Sequence, residues 1–171
     1  MVVVERIVWP QRGLEAYAKS FPELRGRLVL GVHHYSWSGP GRYLAFGGPT
    51  SVRWLVALLR GLGVFSKQNY GDMERSQLYE QLRAEWGWLL ESDACPVWVS
   101  EFGASLDNED EMRWLADFAD YLAKVEADWA YWPLNVGTKP ASKEGEPYGM
   151  LAADWRPKPE GDARLRLLRA A

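Results

Sequence analysis

Polar side chains stand where three of the apolar runs of this chain end. His33 and Tyr35 close "GVHHY", Glu101 closes "PVWVSE", and Trp132 lies within "WAYWPLN". A carboxylate beside a hydroxyl, an imidazole and an indole suits the hydrolysis of a glycosidic bond. A retaining glycosidase uses an ionised carboxylate as nucleophile, with a second carboxyl about 5–5.5 Å away that acts as acid and then as base. The residues therefore predict a glycosidase-type site with Glu101 as its nucleophile.

The neighbours of Glu101 have separate predicted roles. The Tyr35 hydroxyl would donate a hydrogen bond that keeps the Glu101 carboxylate ionised and aimed. Trp132 would stack under the sugar whose bond is cut, because aromatic rings pack against the apolar faces of sugars. His33 would contact the sugar or the nucleophile. Three further residues are predicted to bind substrate: His34, Trp37 and Asn135.

Each of these residues also has a purely structural explanation. A carboxylate at a strand end can simply meet solvent or an arginine. Alternate residues of a strand face opposite ways, so one of the two histidines can serve only a local hydrogen bond. The ten tryptophans and eight tyrosines suit a large core as well as a sugar site. The prediction depends on the combination of residues.

Four short, nearly continuous apolar runs predict strands buried on both faces, as in a parallel sheet covered by helices. The strands are predicted at 2–9, 27–35, 96–102 and 128–135. Helical patterns separate and follow them, at 13–20, 51–61, 73–90, 109–126 and 160–169. Alternating strands and helices predict an α/β fold of βα units, in which neighbouring strands end at one rim. The candidate residues would converge there.

Two helices carry the clearest pattern. Asn108 is placed as N-cap of the helix 109–126, with Glu111 as its capping-box partner, and Asp72 is a possible cap for 73–90. The residues predicted to face the core are Trp114, Phe118, Tyr121 and Val125 in the first helix, and Leu78, Leu82, Trp86 and Leu89 in the second.

Composition narrows the function classes. A chain of 171 residues with 47% hydrophobic and 25% charged residues suits one globular domain. The net charge of −3, without a basic stripe, argues against a nucleic-acid partner, and no run reaches the ~18–20 apolar residues of a membrane span. Cys95 is the only cysteine, so neither a disulfide framework nor a metal cluster is expected, and no cofactor is implied. The short apolar N-terminal run does not read as a signal peptide.

The stretch "PVWVSEFG", preceded by "GVHHYSW" and followed by "WAYWPLN", resembles the C-terminal part of glycoside hydrolase family 5, the cellulase-like family of (β/α)8 barrels. The resemblance implies that Glu101 ends the seventh strand as the nucleophile, that His33 and Tyr35 end the sixth, and that Trp132 lies on the eighth. It implies a partial TIM barrel of about four βα units, strands 5–8, and endo-β-1,4-glucanase-like hydrolysis of a β-linked oligo- or polysaccharide. It also implies secretion of the full-length relative.

The chain departs from the family pattern in one important respect. The family's acid/base glutamate lies in an Asn-Glu-Pro motif on the fourth strand, and the 171 residues contain no Asn-Glu-Pro. Glu5 has no preceding asparagine and is not a substitute. A (β/α)8 barrel also needs at least ~200 residues. Residues 1–171 are therefore expected to be the C-terminal part of a catalytic domain, with little or no activity alone.

Two other interpretations stay open. The chain could be a non-catalytic remnant or sugar-binding half-barrel, which would self-associate or require a missing N-terminal half because its strand edges are unpaired. It could also be an unrelated α/β protein whose glutamate abstracts a proton.

Overall fold

A computed structural model describes residues 1–5, 20–24, 26–36, 73–104, 109–134, 148–152, 154–158, 161–169 and 171. Within these ranges the strands are β1 (Val2–Glu5), β2 (Leu28–His33), β3 (Val97–Phe102) and β4 (Asp128–Tyr131). The helices are α1 (Arg75–Leu82), α2 (Trp88–Glu91), α3 (Glu109–Val125) and α4 (Gly161–Leu168). A π-helical segment, Arg83–Gly87, joins α1 to α2, and a 3-10 turn, Pro22–Leu24, precedes β2.

The strands form one parallel sheet in the order β1-β2-β3-β4. The predicted parallel α/β architecture is confirmed in this part of the chain. Leu30, Val32 and Val99 of the two central strands are fully buried, which explains their continuous apolar runs. β4 ends at Tyr131, earlier than predicted. The predicted helix 51–61 and nearly all of 13–20 lie outside the described residues.

Helices α1 to α3 supply most of the core that supports the sheet. In the segment 73–90, all four residues predicted to face the core are buried. In α3 three of the four are buried, and the fourth, Val125, is half-buried. The α1 cap was predicted wrongly. Glu74 is the N-cap, and its N–H donates to the Gln77 side-chain oxygen at 2.9 Å. Asp72 and Asn108 lie outside the described residues.

The helix predicted at 73–90 changes to π-helical geometry where it meets α3. Trp86 is fully buried there, and its ring lies edge-on to Tyr121 at 5.5 Å. A Cβ added at Gly87 would overlap the Tyr121 hydroxyl oxygen. Gly87 is therefore required by a close approach between two helices.

Replacing Gly87 with alanine is expected to lower the free energy of unfolding by about 1–3 kcal/mol, the usual cost of overpacking a core. The Tyr121 hydroxyl has no hydrogen-bond partner within the described structure, so removing it costs little. The double variant Gly87→Ala/Tyr121→Phe should therefore recover most of the lost stability, measured by urea denaturation. Equal stability of the single and double variants would contradict this packing.

Candidate active site

An irregularity between β2 and β3 brings His33 beside Glu101. Val32 pairs with Val99, but the next residue of β2, His33, pairs with Glu101, so Ser100 is an extra residue on β3. Bulges of this kind re-aim side chains at strand ends. The two polar residues therefore lie side by side where the parallel strands end.

The Glu101 carboxylate is contacted at both of its oxygens. The Tyr35 hydroxyl donates a hydrogen bond to Oε1, and His33 Nδ1 lies 3.5 Å from Oε2. Hydrogen bonds to an ionised acceptor are stronger than neutral ones. The Tyr35 ring is buried, whereas the Glu101 side chain remains 25% exposed. The carboxylate is held from within the protein while one side stays open to solvent.

Trp132 follows β4, next to the end of β3. Its backbone N–H donates to the Phe102 carbonyl at 2.7 Å, and its side chain is about half exposed. A Cβ added at Gly103 would overlap the Trp132 carbonyl oxygen, so only glycine permits this approach of the two strand ends. The exposed indole is available to contact a ligand, as the sugar-platform prediction requires.

His34 does not belong to this group, although a substrate-binding role was predicted for it. Its ring is 2% exposed and stacks on Phe118 at 5.4 Å and on Trp114 at 6.1 Å. Its Nδ1 lies 3.5 Å from Glu85 Oε2. Because successive residues of a strand face opposite ways, His33 lies beside Glu101 and His34 packs into the core.

Burial of His34 has a consequence for stability. Desolvation lowers the pKa of His34 from 6.5 to about 4, so the unfolded chain binds a proton that the folded chain does not. The free energy of unfolding should therefore fall by about 1 kcal/mol between pH 7 and pH 5.5. Burial raises the pKa of Glu85, so protonation of this carboxyl in the folded state opposes the trend as the pH falls towards 4.5. The measurement is urea denaturation across this pH range.

The variant His34→Phe keeps an aromatic ring between α3 and the sheet but has no titrating group. Its stability should change less between pH 7 and pH 5.5 than that of the wild type. An identical pH dependence in both proteins would show that another group is responsible.

Two predicted substrate-binding residues, Trp37 and Asn135, lie outside the described residues. Two residues without a predicted role lie next to the site. The Tyr148 ring stacks on Tyr35 at 5.8 Å. Arg164 is fully buried and lies one helical turn before the buried Leu168. An arginine on the apolar face of α4 was the sequence feature that could have indicated its burial.

Two further findings concern ligands and membranes. In the described ranges, no group of three or more His, Cys, Asp or Glu side chains is placed to hold a metal ion. None of the helices described here is both long and apolar enough to cross a membrane.

The sequence of this chain matches a family model described as cellulase (glycosyl hydrolase family 5) over residues 1–137, most of its length. The chain belongs to glycosyl hydrolase family 5. This assignment agrees with the resemblance carried by "PVWVSEFG" and its flanking motifs.

Solved family 5 structures have the same fold. An endocellulase from Pyrococcus horikoshii, in complex with cellotetraose, is 20% identical with a TM-score of 0.52, and the match covers 82% of this chain and 31% of that one. The catalytic domain of the major endoglucanase from Xanthomonas campestris pv. campestris is 20% identical with a TM-score of 0.53, covering 84% and 33%. The chain spans about a third of these structures and forms part of the family's α/β TIM barrel.

Proposed function

We propose that this chain is the nucleophile-bearing, C-terminal part of a retaining glycoside hydrolase acting on β-linked glucan. The observation that supports this most is the Glu101 carboxylate at the end of β3, contacted by Tyr35 at one oxygen and by His33 at the other. Family membership gives the reaction class, hydrolysis of a glycosidic bond. The proposal assigns residues 1–171 to a single catalytic domain.

In the proposed first step, a Glu101 carboxylate oxygen attacks the anomeric carbon of the sugar. A bond forms between that oxygen and the carbon, and the bond from the carbon to the leaving oxygen breaks, its electron pair departing with the leaving group. The Tyr35 hydrogen bond at Oε1 restricts rotation of the carboxylate. Orienting a nucleophile in this way lowers the barrier without any change in its chemistry.

The second carboxyl is proposed to come from another segment. A retaining enzyme needs it to protonate the leaving oxygen and then to deprotonate water. The family places it in an Asn-Glu-Pro motif, which the 171 residues do not contain. We infer that the isolated chain hydrolyses unactivated glucan slowly or not at all, and that an N-terminal barrel half, which would carry the motif, completes it.

The proposed substrate class is a β-1,4-linked glucan or its oligosaccharides. The Pyrococcus endocellulase that shares the fold was solved with cellotetraose. In this chain the half-exposed Trp132 would form the sugar platform next to Glu101, with Trp37 and Asn135 as further proposed contacts.

A fluorinated, activated substrate tests the proposal with the chain as it is. In 2,4-dinitrophenyl 2-deoxy-2-fluoro-β-cellobioside the leaving group departs as a stable anion, so the first step needs no acid. Intact-mass and peptide mass spectrometry should find one 2-fluorocellobiosyl group, attached to Glu101. A label on a different carboxylate would show that Glu101 is not the nucleophile, and sugar binding without any label would favour a non-catalytic sugar-binding half-barrel.

A further inference from the structure

Arg164 of α4 occupies an unusual place for an arginine. Its side chain is 0% exposed, although arginine is almost never fully buried unless its donors are satisfied. The guanidinium donates to the carbonyls of Ala104 at 3.0 Å, Tyr148 at 2.6 Å and Gly149 at 3.3 Å. It also donates to the Tyr131 hydroxyl at 3.0 Å. One side chain thus joins three separate segments of the chain.

Two of these segments adjoin residues of the candidate site. Ala104 follows Glu101 by three residues, and Tyr131 is the last residue of β4, next to Trp132. Burial raises the pKa of Tyr131, so its hydroxyl keeps its proton and also donates to the Tyr148 carbonyl at 3.1 Å. The arginine and this tyrosine hold the same backbone carbonyl.

Tyr148 connects this cluster to the carboxylate. Its ring stacks on Tyr35, and the Tyr35 hydroxyl donates to Glu101 Oε1. A Cβ added at Gly103 would lie 3.3 Å from the Tyr148 Cβ, so this segment also packs against the end of β3. Contacts therefore run from Arg164 through Tyr148 and Tyr35 to the nucleophile.

We propose that Arg164 is a positioning residue for Glu101: it fixes the Tyr148 segment against the ends of β3 and β4, and Tyr148 in turn fixes Tyr35. This inference rests on the proposed function of Glu101. The planar guanidinium presents several donors in a rigid fork, whereas a lysine ammonium is a compact point charge that cannot reach all four acceptors. Arg164→Lys therefore keeps the charge and loses the geometry.

The test is the kinetics of labelling by 2,4-dinitrophenyl 2-deoxy-2-fluoro-β-cellobioside. Arg164→Lys should lower the rate constant at saturating reagent by about tenfold or more, since small misplacements of reacting groups are costly. The half-saturating reagent concentration should stay within about twofold, because the variant does not touch the sugar. In the double variant with Tyr35→Phe, the further loss should be much smaller than in the wild-type background.

Two controls separate positioning from stability. Arg166→Lys changes the same residue type on the exposed side of α4 and should label at the wild-type rate. Leu89→Ala removes a fully buried side chain of α2 and lowers the melting temperature without touching the Arg164 contacts. A wild-type rate constant in Arg164→Lys, or an equal loss in Leu89→Ala, would overturn the proposal.

Hydrogen exchange keeps this inference separate from the proposed function. Amides in 101–104 and 148–152 should exchange faster in Arg164→Lys, with those of 75–91 unchanged, and Leu89→Ala should not reproduce this pattern. If the wild type is not labelled at all, the proposed function fails for this chain, and exchange alone decides whether Arg164 holds these segments. Unchanged exchange there would overturn its positioning role.

Discussion

Replacing Glu101 with glutamine is expected to abolish covalent labelling by the fluorinated dinitrophenyl cellobioside, with a loss of roughly 10³-fold or more in the labelling rate. The amide is neutral, so its oxygen has neither the charge nor the basicity to attack the anomeric carbon. Glutamine has nearly the same shape as glutamate and still offers an oxygen to the Tyr35 hydroxyl. The folded state should therefore survive, and intact-mass spectrometry against time measures the effect.

The matched control is Glu80→Gln, the same substitution at an exposed position of α1. It should label at the wild-type rate, and both variants should melt close to the wild type. Undiminished labelling of the Glu101→Gln protein would show that another group is the nucleophile and would remove the central assignment of the proposed function.

Much of the fold was predictable because burial on both faces of a strand leaves a plain signal. The continuous apolar runs around Leu30, Val32 and Val99 predicted a parallel sheet, and the structure confirms it. Helical spacing likewise predicted which residues of α3 face the core. The π-helical segment at 83–87 was not predictable in this way, and the close approach of Gly87 to Tyr121 found there joins residues 34 positions apart in the chain.

The part of the site that was predictable is the part formed by residues at the ends of neighbouring strands. Where the apolar runs stop, polar residues of neighbouring strands must meet, and Tyr35, His33 and Glu101 do so. Strand alternation showed that His33 and His34 face opposite ways, but not which of them faces Glu101. That choice depends on the bulge at Ser100, which changes the register between β2 and β3.

Contacts of a side chain with backbone carbonyls could not be predicted from the sequence. Arg164 binds three carbonyl oxygens, and every residue type carries a carbonyl, so its partners Ala104, Tyr148 and Gly149 are unmarked in the sequence. The sequence shows only that an arginine lies on the apolar face of α4. Its partners lie up to 60 residues from Arg164 in the sequence, and the fold alone brings them together.

The second large effect concerns the carboxyl that the chain is proposed to lack. On an unfluorinated dinitrophenyl β-cellobioside, the isolated chain should form the glycosyl-enzyme without acid assistance and then stall, because no base deprotonates water. Azide needs no deprotonation. It should attack the anomeric carbon, displace the Glu101 carboxylate and release β-cellobiosyl azide, raising turnover by roughly 10²-fold or more, the order that general acid–base catalysis supplies.

On cellotetraose the same chain should show no such stimulation, because departure of a sugar alkoxide still requires a proton and the first step stays slow. The ratio of the rate on the dinitrophenyl substrate to the rate on cellotetraose should be about 10²–10⁴-fold larger than for an intact family 5 enzyme. Product analysis by mass spectrometry measures the azide adduct, and Glu101→Gln is the control that should form none. Rapid hydrolysis of cellotetraose without azide would mean that the acid/base lies within these 171 residues, and the proposed division of the two carboxyls between segments would be wrong.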